Sequence, residues 1–315
     1  AIRGGKLRRS SISRELDRLP VDYISDLLKF KNKIWIGTNL GLYQYNPHIN
    51  KVVAFHHSSS PRSLSHDYIA SLAASPDGRL LVGTLCGVDI FQEKGNDFEH
   101  WNTSSAVNPL SSNFVNCILC VKGHLWVGTE TGGIVLLLPR SLELRNYVHL
   151  SDAASISSGC VNSMYVQPDG TLWVGTVEGG LNRLQKGGNT FTHYTAQNTN
   201  LSHNSVSTLA ADVHGHLWIG TWGGGINSID IKNPSQVTRL TVQPKLQPLL
   251  NFIGALAYDR YNDGLWIGSN DGIFFYNFKT HQLELPFQGC GNIRGCIGSI
   301  IDRSGTLWMG CLVGV

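Results

Sequence analysis

The sequence predicts an all-β fold, a seven-bladed β-propeller with four antiparallel strands per blade, and three observations carry that expectation. A glycine-containing unit recurs seven times at nearly constant spacing. Each unit divides into four short apolar segments separated by turn residues. No stretch of ten or more residues follows the 3.6-residue period of an amphipathic helix. The units read IWIGTNLG (34–41), LLVGTLCG (80–87), LWVGTETGG (125–133), LWVGTVEGG (172–180), LWIGTWGGG (217–225), LWIGSNDG (265–272) and LWMGCLVG (307–314). Their first glycines, at 37, 83, 128, 175, 220, 268 and 310, are 46, 45, 47, 45, 48 and 42 residues apart. About 45 residues and four strands per period is the pattern of propeller blades.

The elements of a unit follow in order. An apolar pair spaced V-x-x-L comes first: Ile24/Leu27, Ile69/Leu72, Val115/Ile118, Val161/Met164, Val206/Leu209, Ile253/Leu256 and Ile297/Ile300. The residues between the pair are mostly small or polar, as an innermost strand crowded near an axis requires. A hairpin turn comes next, written Pro76–Asp77–Gly78, Pro168–Asp169–Gly170 and 302–305 (DRSG). The glycine-bearing strand follows, then a second turn, an apolar third strand such as 42–45 or 88–91, and an aromatic outer strand such as 98–101 or 191–194. Blades stacked face to face bury both faces of their strands, which explains near-continuous apolar runs in place of alternation.

Ring closure is also legible as an expectation. Leu144–Arg145 precede Val161 by 17 positions, and Leu7–Arg8 precede Ile24 by the same 17. Residues about 5–11 are therefore expected to supply an outermost strand to the blade begun by the C-terminal unit, making residues 1–315 a single closed domain. The incomplete last unit also implies a parent chain that continues beyond Val315.

Composition excludes several classes. Charged residues make up 15% of the chain against roughly 25% in ordinary domains, and 42% are hydrophobic, which rules out a charge-solvated, disordered protein. The net charge of +3 is dispersed, so nucleic acid is not an expected partner. No apolar run reaches the roughly 20 residues that cross a bilayer, and no signal segment precedes the repeats. The seven cysteines are odd in number and irregularly spaced, so at least one thiol is expected free and no disulfide framework is implied.

The segments LWVGTETGGIVLL and PDGTLWVGTVEGGLNRL resemble the two-component regulator propeller repeat, with the upstream V-x-x-L in place across all seven units. Leu81 replaces the repeat tryptophan in unit two, and Cys311 replaces threonine in unit seven. The resemblance implies the periplasmic, extracytoplasmic sensor of an inner-membrane hybrid histidine kinase. It further implies a companion propeller, an immunoglobulin-like domain, a homodimeric intact receptor and an oligosaccharide signal, with the membrane reached only through the parent chain. A propeller enzyme, either lyase or glycosidase, is the alternative, and a purely structural or dimerisation module is another. No cofactor is expected, and no catalytic residue is assigned.

Two sets of loops converge on one face of such a ring: those joining second to third strands, and those joining one blade to the next. Functional residues concentrate on loops of this kind. Six of the eight tryptophans occupy the repeat position and Trp101 fits an outer strand, which leaves Trp222 outside the repeat pattern. An aromatic face beside carboxylates and amides suits a sugar ring. The candidate ligand-binding residues are Trp222, Glu130, Glu178, Asn270, Asp271, Asn39, His66, His203, Asn113 and Arg294. Against each stands a structural alternative: loop cover for Trp222, solvated turn charges for the acids, capping for the histidines. His214 and His216 have a metal-ligand spacing but fall on the opposite face without a third ligand, and no metal is assigned.

Overall fold

The computed structural model describes residues 2–3, 6–7, 23–138, 143–286, 294–301 and 307–313. Six sheets of four strands each follow one another, every pairing antiparallel and every strand adjacent to its neighbour in sequence. The innermost strands are Ile24–Phe30, Ile69–Ala74, Val115–Val121, Val161–Val166, Val206–Ala211 and Ile253–Asp259, and they open blades 1 to 6. The outermost strands are Lys51–Phe55, Asp97–Trp101, Glu143–Tyr147, Phe191–Tyr194, Val237–Arg239 and Gln282–Glu284. One 3-10 turn, Gln247–Leu250, sits in the loop that leads into blade 6.

The propeller therefore has six four-stranded blades, and the expected seventh is corrected. Residues Arg294–Ile301 and Leu307–Val313 form a two-stranded hairpin. Its first strand packs beside the inner strands of blade 6 and of blade 1, so the hairpin occupies the sector between them. Of the expected N-terminal closing segment, Lys6–Leu7 pairs with Ile2–Arg3. The remainder of the segment assigned to closure, residue 5 and residues 8–11, lies outside the described residues. A repeat period counts units, but it cannot say how many strands each unit hydrogen-bonds into a sheet.

The repeat glycine has one physical reason in every unit. Each lies opposite a small or short residue of its own inner strand: Gly37 pairs Asp26, Gly83 pairs Ser71, Gly175 pairs Ser163 and Gly220 pairs Thr208. Its outer side is pressed by the first inner residue of the next unit. A Cβ would lie 2.9 Å from Ile69 at Gly37, 2.8 Å from Val115 at Gly83, 2.6 Å from Val161 at Gly128 and 2.5 Å from Val206 at Gly175. The same holds at 2.6 Å from Ile253 at Gly220, 2.6 Å from Cys296 at Gly268 and 2.7 Å from Ile24 at Gly310. Real carbon contacts do not occur at such distances, so only glycine lets neighbouring inner strands approach this closely.

Hydrophobic clusters form between blades. Trp35 of blade 1 packs with Phe91 and Phe98 of blade 2, Trp126 of blade 3 with Leu172 and Phe191 of blade 4, Trp173 of blade 4 with Leu217 and Ile229 of blade 5, and Trp218 of blade 5 with Leu265 and Phe274 of blade 6. Burying such an indole contributes about 2–3 kcal/mol each by area. The core is thus a set of radial layers. Each inner strand also carries a bulge after its first residue, at Ser25, Ala70, Asn116, Asn162, Ser207 and Gly254. Three bulged side chains bridge to the next blade: Ser25 Oγ donates to the Ile69 carbonyl, Asn162 Nδ2 to the Val206 carbonyl at 3.3 Å and Ser207 Oγ to the Ile253 carbonyl.

Candidate functional site

The threonine after the repeat glycine in four blades holds the loop that bears candidate residues. Thr38, Thr129, Thr176 and Thr221 are fully buried. Their hydroxyls donate to the carbonyls of Gly41, Gly133, Gly180 and Gly225 at 2.7, 3.0, 2.9 and 2.8 Å, closing the turn between second and third strands. These turns, with the loops that run from blade to blade, emerge on one face of the ring, the loop face.

A second regular contact joins the two loop sets. The backbone N–H of the residue after the threonine or serine donates to the carbonyl of the residue just before the inner strand. This occurs from Asn39 to Tyr23 (3.3 Å), Glu130 to Phe114 (2.8 Å), Val177 to Cys160 (3.0 Å), Trp222 to Ser205 (2.9 Å) and Asn270 to Phe252 (3.1 Å). The result is a collar of paired residues on the loop face, contributed by blades 1, 3, 4, 5 and 6. Asn39, Glu130, Trp222 and Asn270 share one collar position, whereas Glu178 and Asp271 lie one residue farther along their turns.

Ser205 draws three candidates together. Its carbonyl accepts from the Trp222 N–H, its own N–H donates to His203 Nδ1 at 3.0 Å, and its Oγ accepts from the Glu178 N–H at 3.3 Å. Trp222 also bridges to Phe252, and both are exposed, at 45% and 48%. Asn270 bonds to the same Phe252, and its carbonyl accepts from Gly295 N–H beside Arg294. Blades 4 to 6 and the hairpin thereby place Glu178, His203, Trp222 and Asn270 on one arc. The side chain of Arg294 is not among those described; its backbone pairs with Val313.

Glu130 belongs to a second cluster. Its Oε2 accepts from Asn116 Nδ2 at 2.8 Å and from Cys160 Sγ at 3.1 Å. Burial first, and then the hydrogen bond to Glu130, pushes the Cys160 thiol up to about 12, so it stays protonated. Asn116 is the bulged residue of blade 3, and its Nδ2 donates both to the Glu130 carboxylate and, across to the next blade, to Cys160 Sγ at 3.8 Å.

Other candidates are held or exposed individually. His66 Nδ1 accepts from the Tyr68 N–H at 2.9 Å, the same capping contact that His203 makes. Asn113 Oδ1 accepts from the Thr103 N–H at 2.9 Å, just as Asp67 accepts from His57 and Asn204 from Ala196. Asp271 is exposed, with its N–H held by Ser269 Oγ at 3.0 Å. The Asn39 Oδ1 is buried without a hydrogen-bond partner. His214 and His216 stand on the opposite face, each beside its own carboxylate, Asp263 at 2.8 Å and Asp212 at 3.2 Å.

The sequence reading missed an aromatic rim. The residue just before the inner strand is Tyr23, Tyr68, Phe114 and Phe252 in blades 1, 2, 3 and 6, and Tyr23 stacks on Tyr68 with centroids 6.1 Å apart. Burial, aided by the hydrogen bond to Tyr68, raises the Tyr23 hydroxyl pKa. The signal was available: the position immediately upstream of V-x-x-L is aromatic in four units. Among the described residues, ten large apolar side chains are exposed; Leu40, Phe114, Val148, Leu150, Trp222 and Phe252 belong to the turns and loops of the loop face, and Val107 lies in the cleft between blades 2 and 3.

Comparison with known proteins agrees with the repeat. Residues 155–178 and 200–223 match the family described as two component regulator propeller. A search of curated proteins returns no significant match. Among solved structures, the extracellular domain assigned to the one component system BT4673 from B. thetaiotaomicron is similar with a TM-score of 0.75 and 19% identity, covering 97% of this chain and 42% of that one. A second structure, the extracellular domain assigned to the hybrid two component system BT4673 from the same organism, has a TM-score of 0.51 at 19% identity, covering 91% and 46%. PorZ, a surface component of the type-IX secretion system of Porphyromonas gingivalis, has a TM-score of 0.62 at 17% identity, covering 92% and 36%. The chain thus spans less than half the length of these structures, whose likeness concerns the fold. No helix among the described residues is long and apolar enough to cross a membrane. Residues 155–178 and 200–223 thus carry the two component regulator propeller repeat.

Proposed function

We propose that this propeller is a single folded sensor unit of an extracytoplasmic two-component receptor, binding a small ligand at the collar on the loop face. The observation that carries the reading is the collar itself, where Trp222, Phe252 and Phe114 stand exposed beside Glu130, Glu178 and Asn270 in a family whose repeat is named for two component regulators. Exposed rings next to carboxylate and amide groups fit an oligosaccharide: rings stack on C–H faces, and the polar groups take hydroxyl hydrogen bonds. The protonated Cys160 thiol supports binding over nucleophilic chemistry. Cys296 is disulfide-bonded, which supports an oxidising compartment such as the periplasm outside an inner membrane. In this reading a companion propeller and an immunoglobulin-like domain of the parent chain pass occupancy onward through a homodimer.

The test is a thermal-shift panel of oligosaccharides on the chain, followed by titration calorimetry of any that stabilise it. The expected result is binding that falls at least tenfold in Trp222→Ala, with melting of the free protein unchanged. Binding unaffected by Trp222→Ala, or product release on incubation, overturns the reading in favour of a different site or an enzyme.

A further inference from the structure

We propose that the boundary between blades 2 and 3 is a binding cleft for a flat, uncharged aromatic molecule of about indole size, seated where a tryptophan fills the neighbouring boundaries. The boundaries after blades 1, 3, 4 and 5 each hold a buried repeat tryptophan, Trp35, Trp126, Trp173 and Trp218. Blade 2 offers Leu81 at that position, packed against Val115, Ile118 and Leu125 of blade 3. A cleft of about 800 Å³ runs along this boundary, with Leu81, Ile90, Leu125, Leu137, Trp101 and Val107 among its lining residues. This volume lies within the range of small-ligand sites.

The polar groups on its wall argue for an uncharged occupant, because they already have partners. Trp101 Nε1 donates to the Asn108 carbonyl at 2.6 Å, Arg79 pairs with Asp77 at 2.7 Å, and Lys122 Nζ donates to the Pro168 carbonyl. His100 is held by Asp89 at 2.7 Å and by the Pro61 carbonyl at 2.9 Å. Burial keeps the Cys120 thiol neutral, pushing it up to about 11. With those groups engaged, the wall left to a ligand is more apolar than polar, which suits the face of an aromatic ring. The cleft is separate from the collar on the loop face, so this inference stands apart from the sensor reading.

The probe is indole itself. In the unaltered protein, indole at ten times its dissociation constant is expected to raise Tm by roughly 2–4 °C. Intermolecular NOEs are expected from its ring protons to the methyl groups of Leu81, Ile90 and Leu125. Leu81→Trp supplies the ring covalently and is expected to abolish both signals, and Leu81→Phe to weaken binding several-fold. Trp222→Ala is expected to leave indole binding unchanged. No NOE to these methyls at saturating indole, or equal indole binding by Leu81→Trp, overturns the proposal. If Leu81→Trp fails to fold, the NOE measurement on the unaltered protein decides alone.

Discussion

Gly310 of the C-terminal hairpin meets Ile24, the first residue of blade 1, so closely that a Cβ at 310 would lie 2.7 Å from Ile24 Cγ2. This contact repeats across the ends of the chain the one that Gly175 makes with Val206 between consecutive blades. The hairpin therefore seats against blade 1 by the same close approach that seats blade on blade.

Gly310→Ala is expected to destabilise the protein by about 1–3 kcal/mol, the usual penalty for overpacking, with Gly175→Ala comparable. Urea denaturation checks both. Adding Ile24→Ala to Gly310→Ala should recover part of the loss, a positive coupling between the two sites. Unaltered stability of Gly310→Ala would show that the hairpin does not close the ring.

His100 Nδ1 sits 2.7 Å from the fully buried Asp89 carboxylate. The hydrogen bond to Asp89 raises the His100 pKa above its usual 6.5, against the opposing effect of burial. The folded state therefore holds the imidazole proton more tightly than the unfolded chain does. The stability this confers is full below pH 6.5 and is lost as pH rises through the elevated value. NMR titration should place His100 above 6.5, and Asp89→Asn should bring it back toward that figure. A His100 titrating at or below 6.5 in the unaltered protein would contradict the pairing.

Asp26 acts with the same sign in a lower pH window. Its carboxylate receives N–H bonds from Leu27 and from Leu72 of the next blade, both 2.7 Å, yet burial outweighs them and raises its pKa from 3.8 to about 6. The folded state binds the Asp26 proton more tightly, so stability contributed here is highest below about pH 4 and declines up to about pH 6. Melting curves across that range should show a decline that Asp26→Asn reduces. An identical slope in the variant would sink the assignment.

Cys160 should resist alkylation. With its thiol pushed up to about 12, iodoacetamide at pH 8 is expected to label it far more slowly than a free cysteine. Glu130→Gln removes the negative charge that helps hold the proton, and labelling should then speed up several-fold. Rapid labelling in the unaltered protein would reopen a nucleophilic role for this residue.

Trp222 is 45% exposed, so Trp222→Ala is expected to change folding stability by no more than about 0.5 kcal/mol. A larger loss would mean that the indole is loop cover, the structural alternative to ligand contact.

The repeat made the blade architecture legible before any coordinates, because each recurring residue answers a local demand. The glycines at 37, 83, 128, 175, 220, 268 and 310 admit the neighbouring strand, the threonines close the turns, and the tryptophans fill the layers between blades. Trp222 was identifiable as the tryptophan outside this pattern, and the structure sets it on an exposed collar. Sequence patterning also marked Leu81 as the exception among repeat tryptophans, but only packing placed it in the wall of a cleft between blades 2 and 3. His66 and Asn113 looked equally eligible as ligand groups, yet they are engaged with the backbone of Tyr68 and Thr103, a matter of loop geometry invisible in residue type. The number of complete blades was likewise decided by tertiary structure. The seventh unit repeats the local pattern of the other six, whereas a four-stranded sheet depends on hydrogen bonds between segments far apart in the chain. Among the described residues, those bonds join Lys6–Leu7 to Ile2–Arg3 and leave the last unit a two-stranded hairpin.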